Sequence, residues 1–423
     1  MGCKPLILVF LTLPVIAGDD GSRQGFIVHE WGTFTSIAGQ DGEAREWNAL
    51  SGENDLPRFV DDAGYRCTKW TLAGTVRMET PVIYFYSDRE LTAKVSVEFP
   101  HGVITEWYPK GENAIYESKK LMDQISRLGQ RPIYSDDAVI QTSSLITPQP
   151  AGLGDNVVKL TASRNGIDTS LRSLMSAMTW PDVHVQPGLD ARFPTEKAAS
   201  RYYAARETDA APITAGNQTE KFLFYRGVGR FQIPLTARLS SAGKVLLNNV
   251  ATDGAPSAIL FENRGGRIGY RNIGLVPQQA AMTIERPTLD GALPQLLSHL
   301  ESDLVALGLF RKEAHAMIKT WQDSWFEEGA RLIYIVPASA LISALPLQIE
   351  PAPDKIVRAF VGRIELITDE TKRSVEEAVQ QGNPPPKPFL RFLDPILQGI
   401  YAGNTWKISQ IESKVPRSCG QAQ

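Results

Sequence analysis

The run FIVHEWGTFTSI, residues 26–37, has the β-branched and aromatic density of a strand and contains no proline. On a strand alternate side chains share a face, which puts His29, Trp31, Thr33 and Thr35 on one side and Val28, Glu30 and Phe34 on the other. HEWGT begins like the helix of a zinc protease, but that signature needs a second His four residues on, where this chain has Thr33. His29 and Glu30 point apart on a strand. They cannot both ligate one metal unless a bulge intervenes.

Working outward, METPVIYFYS at 78–87 reads as a second strand, and KVSVEF, the turn Pro100-His101-Gly102 and VITEWYP read as a hairpin. KFLFYRGVGRF leads into PLTARLSSAGKVLLNNV, and ILFEN, Arg264-Gly265-Gly266 and RIGYRNI form another hairpin closed by a Gly-Gly turn. Strand pairs at short spacing predict antiparallel sheets, as a sandwich or curved barrel, over residues 19–285. Residues 164–216 interrupt them as an irregular or helical excursion, in which Tyr202, Tyr203 and Arg206 have helical spacing until Pro212.

Character changes near Pro287. LDGALPQLLSHLESDLVALGL and RKEAHAMIKTWQDSWFEEG carry apolar residues at three and four spacing, as amphipathic helices do. RLIYIVP and IVRAFVGRIELIT are strands, and DETKRSVEEAVQQG is a helix with an acidic first turn. The fold class expected is α+β: a β-rich part at 19–285, then a helix-rich α+β region at 286–423.

Residues 1–18 have the layout of a cleaved secretory leader: Lys4, the apolar run Pro5 to Ile16, then Ala17 and Gly18. That run is well short of the ~20 residues a spanning helix needs. A lipoprotein leader would place a cysteine after the run, where Asp19 and Asp20 stand, and the opening MGC lacks the Ser or Thr of a myristoylation signal at Leu6. The expected address is periplasmic or extracellular. Formal charge is −3, without a basic stripe, so nucleic acid is not an expected partner. Cys67 and Cys419 remain after the leader, and an exporting compartment permits a disulfide between them.

Most catalytic signatures are missing. There is no GxSxG elbow, no P-loop and no CxxC, GVG in YRGVGRF is too short for a dinucleotide loop, and SAGK near 240 formally fits SxxK but lies in a turn with no KTG after it. No cofactor and no metal site is expected. The candidate catalytic residues are His29, Glu79 and Arg226, converging from distant strands as an acid, a base or an anion clamp, with Arg77 beside Glu79. The opposing reading is a set of buried groups held by internal ion pairs. Glu106, Trp107 and Tyr108 are a candidate ligand-binding face, since exposed aromatics beside a carboxylate suit a sugar ring, although Trp107 serves equally well as core. Arg206 is a further ligand-binding candidate, and Arg226 and Arg230, flanked by glycines in YRGVGRF, can hold a carboxylate from a ligand or from Glu207 or Asp209 of the chain itself. Trp321 and Trp325, four apart, read as core between helix and sheet.

HEWGTFTS, METPVIYFYS, YYAARETDAAP, KFLFYRGVG, WFEEGARLIYIVP and VGRIEL resemble the recurring blocks of a family of uncharacterised exported bacterial proteins. The resemblance spans most of the chain beyond the leader. It implies one architecture over the whole length and a bacterial envelope location, and it carries neither an activity nor a functional residue. Two expectations of different class follow. One is a non-catalytic exported protein that binds a ligand, glycan or protein partner through its β-rich part. The other is a hydrolase-like enzyme, metal-dependent or not, assembled from His29, Glu79 and Arg226.

Overall fold

The structure is a computed structural model and describes residues 25–50, 55–63, 70–116, 139–141, 159–162, 174–401 and 404–412. Residues 1–18, expected to be a leader, lie outside the described residues, as do Cys67, Cys419 and the disulfide expected between them.

Residues 26–38 form strand β1 (Phe26–Ala38), buried along almost all of its length. It is the middle strand of a nine-stranded sheet whose other members are β2 (Asp61–Asp62), β3 (Val76–Ser87), β4 (Gly102–Tyr108), β5 (Leu223–Gly229), β6 (Ala258–Arg264), β7 (Arg267–Asn272), β8 (Gly329–Ile335) and β9 (Lys355–Leu366). The order across the sheet is β7-β6-β8-β9-β1-β3-β5-β4-β2. β1 runs antiparallel to β3 and parallel to β9, from Ile27 opposite Lys355 to Ala38 opposite Leu366. A strand covered on both faces carries apolar residues on both, which is why HEWGTFTSI does not alternate. Because β8 and β9 sit in this sheet, the change of character near residue 286 does not separate two sheets. The α+β, β-rich class holds, with both parts built on one central sheet.

One face of the sheet packs on a six-stranded sheet that includes Leu91–Glu98 and Leu174–Val185. Val28, Phe34, Ile83, Phe85 and Tyr225 meet Val95, Val97, Met178, Trp180 and Val183 in that sandwich core. The opposite face is covered by α1 (Leu293–Ala306), α2 (Arg311–Trp325) and a 3-10 turn at Arg201–Arg206. α1 buries Leu296, Leu300 and Leu304 at four-residue spacing, and α2 buries Met317, Trp321 and Trp325 against Trp31, Tyr84 and Phe224. The tryptophan pair is therefore core. Among the described residues no helix is long and apolar enough to cross a membrane.

Two local expectations change. Residues 91–98 and 102–108 do not pair with each other: the first lies in the six-stranded sheet and the second is β4 in the nine-stranded one. Period-two alternation is the same whether a strand's partner is its neighbour in sequence or not. The turn between them is a crossover, closed by Gly102 N–H donating to Phe99 O at 3.0 Å, with the buried Phe99 ring where a Cβ of residue 102 would stand. The excursion, in turn, holds a long strand at Leu174–Val185, whose alternation is broken by a bulge between Trp180 and Val183. Its helical spacing at 202–206 becomes a 3-10 turn capped by Ser200, whose hydroxyl accepts from Tyr202 N–H. By contrast, the Gly265-Gly266 hairpin forms as expected. Both glycines have positive φ, and Arg264 faces Arg267.

Candidate functional site

Three register shifts, made by two β-bulges, lie in line across the central sheet: the extra residue of β3 is met from both of its neighbours, and Thr105 is the extra residue of β4. β1 and β3 shift register between Trp31 and Thr33, β3 and β5 between Phe224 and Gly227, and β5 and β4 between Arg226 and Gly227. In the first of these, Thr80 and Pro81 of β3 stand opposite Gly32 alone. The bulge keeps both Glu79 and Val82 on the helix-covered face, although they are three residues apart. Thr80 sits there at φ 43°, a conformation that costs a β-branched residue of order 1–3 kcal/mol. Bulges and backbone strain both concentrate where a fold aims side chains for a purpose.

What the bulges aim is a row of charge. Thr33 lies opposite Glu79, and Arg226 lies opposite Glu106, on four neighbouring strands. Thr35 Oγ1 donates to Glu79 Oε2 at 2.9 Å, and Arg77 Nε lies 3.3 Å from Glu79 Oε1. Burial pushes the Glu79 carboxyl up, but Arg77, Arg363 and Arg226 outweigh it and hold the group below its ordinary value. Arg226 is fully buried, and its two terminal nitrogens donate to Asp55 at 2.8 and 3.3 Å. For Asp55, too, burial acts upward and is overcome, first by Arg226 and then by Arg77 and Arg201. Thr105 donates to the Glu106 carboxylate beside it. Thr33 Oγ1, Thr80 Oγ1 and Arg226 Nε are buried with no hydrogen-bond partner among the described residues.

The row continues into a second cluster past the end of α2. Glu365 takes Arg331 Nε at 3.0 Å and Arg363 Nε at 2.7 Å on one oxygen, and Arg391 at 3.0 Å on the other. Arg331 also donates to the carbonyls of Trp325, Glu327 and Glu328, which the end of α2 would otherwise leave exposed in the core. Burial drives Arg331 down to about 10 in pKa. Its role is to cap a helix and brace the sheet.

Of the sequence candidates, Glu79 and Arg226 belong to one electrostatic row, and His29 does not. It shares their face, but Glu79 lies opposite Thr33, four residues further along β1, or ~13 Å at strand rise. His29 instead binds Glu313 of α2, with Nδ1 2.7 Å from Oε2, and lies between the Phe310 and Tyr86 rings. Glu313 also accepts Phe310 N–H at 2.7 Å and so closes the first turn of α2. Glu30, on the opposite face, binds Tyr225 and Arg358.

Trp107 and Tyr108 do not form an exposed aromatic face. They are 7% and 3% exposed and point to opposite sides, Trp107 into the sandwich core and Tyr108 under the helices. Arg206 grips Glu220 with two bonds, at 2.9 and 2.6 Å, and Tyr202 donates to the same carboxylate. The Glu207 and Asp209 carboxylates go to Lys319 and Lys312 of α2, each at 2.6 Å. Neither Arg206 nor Arg226 takes them, because the excursion is strapped to the helix layer from outside. Asp55, Glu313 and Glu365 escaped sequence reasoning, and only their distant partners distinguish them from other acids. Among the described residues no three His, Cys, Asp or Glu side chains are placed to hold a metal ion.

Relief of the Thr80 strain is measurable. Thr80→Gly is expected to raise the free energy of unfolding in urea by about 1 kcal/mol, the positive-φ cost exceeding the added chain entropy. A loss of that size would mean that the Thr80 side chain packs well enough to outweigh its backbone.

No family model matches the chain, and no curated protein matches it. Among the solved structures with a weak likeness to the chain are two forms of the yeast delta-COP-I mu-homology domain. The form complexed with the Dsl1 WxWxV peptide has 9% identity and a TM-score of 0.23, covering 81% of this chain and 96% of that one. The other form has 8% identity and a TM-score of 0.24, covering 82% and 98%. Similarity at that level carries no argument about this chain's fold or role.

Proposed function

We propose that this is an exported, non-catalytic binding protein whose β-rich part seats a small polar ligand at the bulge row of Thr33, Glu79, Thr80 and Arg226. The observation that carries the reading is the alignment of two bulges with a strained threonine and three buried donors that have no partner among the described residues. Unmade hydrogen bonds at buried donors cost roughly 1–3 kcal/mol each, and a bound acceptor group recovers that cost. Binding is favoured over turnover because the row's own carboxylate is already engaged: Glu79 is held by Thr35 and Arg77. His29, whose Nδ1 meets Glu313 while its Nε2 is buried with no partner among the described residues, lies ~13 Å along β1 from that row. Export rests on the leader pattern of residues 1–18 and on the family resemblance.

A thermal-shift screen of the purified protein against sugars, amino acids and organic acids tests this reading, with each hit also followed for chemical change. The expected result is a ligand that raises Tm, is recovered unaltered, and loses its effect in Thr33→Val, which keeps shape and removes the hydroxyl. Conversion of a hit, with conversion abolished in Glu79→Gln, would overturn the reading in favour of the hydrolase alternative.

A further inference from the structure

Asp55 does not come from a strand. It lies in the irregular stretch ahead of β2, yet its carboxylate occupies a cradle built by three arginines of three other elements. Arg226 of β5 supplies the bidentate grip at 2.8 and 3.3 Å, Arg201 of the 3-10 turn places Nε 3.7 Å from Oδ2, and Arg77 of β3 adds its charge. The cradle is layered. Arg226 is wholly enclosed in the sheet, whereas the Asp55 and Arg201 side chains are 25% and 29% exposed. A fork of guanidinium nitrogens at the base and a carboxylate at the mouth make a carboxylate-recognition geometry whose occupant is a side chain on a connecting segment.

The groups around the cradle restrict what else can enter. Arg226 Nε is a donor only, and the Thr33 and Thr80 hydroxyls can donate as well; all three are buried and unpartnered among the described residues. Such a set asks for acceptor atoms and repels a cation. Charge sets the number of negative units: Arg77, Arg201 and Arg226 face Asp55, Glu79 and Glu106, with Arg363 shared between Glu79 and Glu365, so exchanging one carboxylate for another leaves the charge of the row unchanged. A phosphate dianion would bring excess negative charge beside Glu79 and Glu106. An acidic side chain of a folded partner would have to reach a guanidinium with no exposed surface, which favours a small molecule.

We propose that Arg77, Arg201 and Arg226 form the carboxylate-binding part of the ligand site, and that Asp55 is a resident carboxylate which a small organic acid displaces on binding. This rests on the binding reading above and deepens it by naming the ligand class. Displacement makes no new charge: the incoming carboxylate takes the Arg226 fork, Asp55 swings to solvent, and the ligand's remaining acceptors meet Thr33 and Thr80. Binding is therefore an exchange, and removing the resident group exposes the intrinsic affinity of the cradle.

The test is acetate rescue. Tm of the full protein and of Asp55→Ala is measured at pH 7 in sodium acetate and in sodium chloride of equal ionic strength. Asp55→Ala is expected to be the less stable protein in chloride and to recover by several degrees in acetate, while the unaltered protein shifts by under about 1 °C. Adding Arg226→Met to Asp55→Ala is expected to remove the rescue. Should Asp55→Ala fold poorly, Asp55→Ser leaves room for formate, and formate against chloride gives the same comparison. Equal Tm in acetate and chloride for the Asp55 variant would overturn the proposal, as would rescue that persists without Arg226. A rescue failure beside a ligand that still raises Tm of the unaltered protein removes the carboxylate assignment alone. Rescue beside turnover of a ligand removes the non-catalytic reading and leaves the cradle standing.

Discussion

Glu365→Ala is expected to lower the free energy of unfolding by about 3–5 kcal/mol, among the largest effects available to a single polar substitution in this chain. Three guanidinium groups converge on this one carboxylate, at 3.0, 2.7 and 3.0 Å, and both Glu365 and Arg331 are fully enclosed. Removal leaves Arg331, Arg363 and Arg391 with the partly exposed Glu327 carboxylate, and Arg363 with the field of Glu79 besides. Burial raises the Glu365 carboxyl, and the three arginines overcome it to hold the group at about 2. Its ordinary value is 4.5, so this contribution is complete above that pH and fades as pH falls toward about 2. Glu327 and Glu220 act in the opposite sense, because burial raises both carboxyls, and they soften the acid transition without reversing it. Urea unfolding of Glu365→Ala at pH 7 provides the check. A cost under about 1 kcal/mol would mean that the cluster is solvated and contributes little.

Arg226→Met is expected to cost a similar amount at pH 7, with an inverted response to acid. In the unaltered protein Asp55 and Glu79 have lowered carboxyl values, so they stabilise the fold above their ordinary range and lose that contribution as pH falls. Without the guanidinium, burial is left to dominate at Asp55, whose value rises above that of the unfolded chain, while Glu79 keeps Arg77 and Arg363; the folded state then takes up a proton at Asp55 first. The deficit of the variant should therefore shrink between pH 7 and pH 4.5. Unfolding free energies of both proteins at the two pH values decide the point; a deficit that grows on acidification would show that Arg226 is not what neutralises Asp55.

How much of this was legible in the sequence depends on the range of each interaction. The strand at 26–38, the Gly265-Gly266 hairpin and helices α1 and α2 rest on local density, turn chemistry and periodicity, and all were readable. The parallel pairing of β1 with β9 joins segments 328 residues apart, and no local pattern announces it. The supposed hairpin at 91–108 fails for a related reason, since alternation specifies faces without specifying partners. In the site, METP and YRGVGR were readable as polar groups set in apolar strands. Their meaning lay in bulges, which leave no periodic trace, and in Asp55, 171 residues from its arginine. His29 was placed on the right face. It was grouped with the wrong neighbours because position along the strand follows from register.

The most direct test of the bulge row as a ligand seat is the fluorine spectrum of protein labelled with fluorotryptophan, recorded with and without the ligand found by thermal shift. The chain has 8 tryptophans. Trp31, Trp321 and Trp325 line the helix-covered face, Trp321 under the Arg201 guanidinium, whereas Trp180 lies in the sandwich core. The account predicts that ligand shifts the Trp31 and Trp321 resonances and leaves Trp180 in place. Shifts confined to Trp180 or Trp47, with Trp31 and Trp321 unmoved, would place the ligand elsewhere and contradict it.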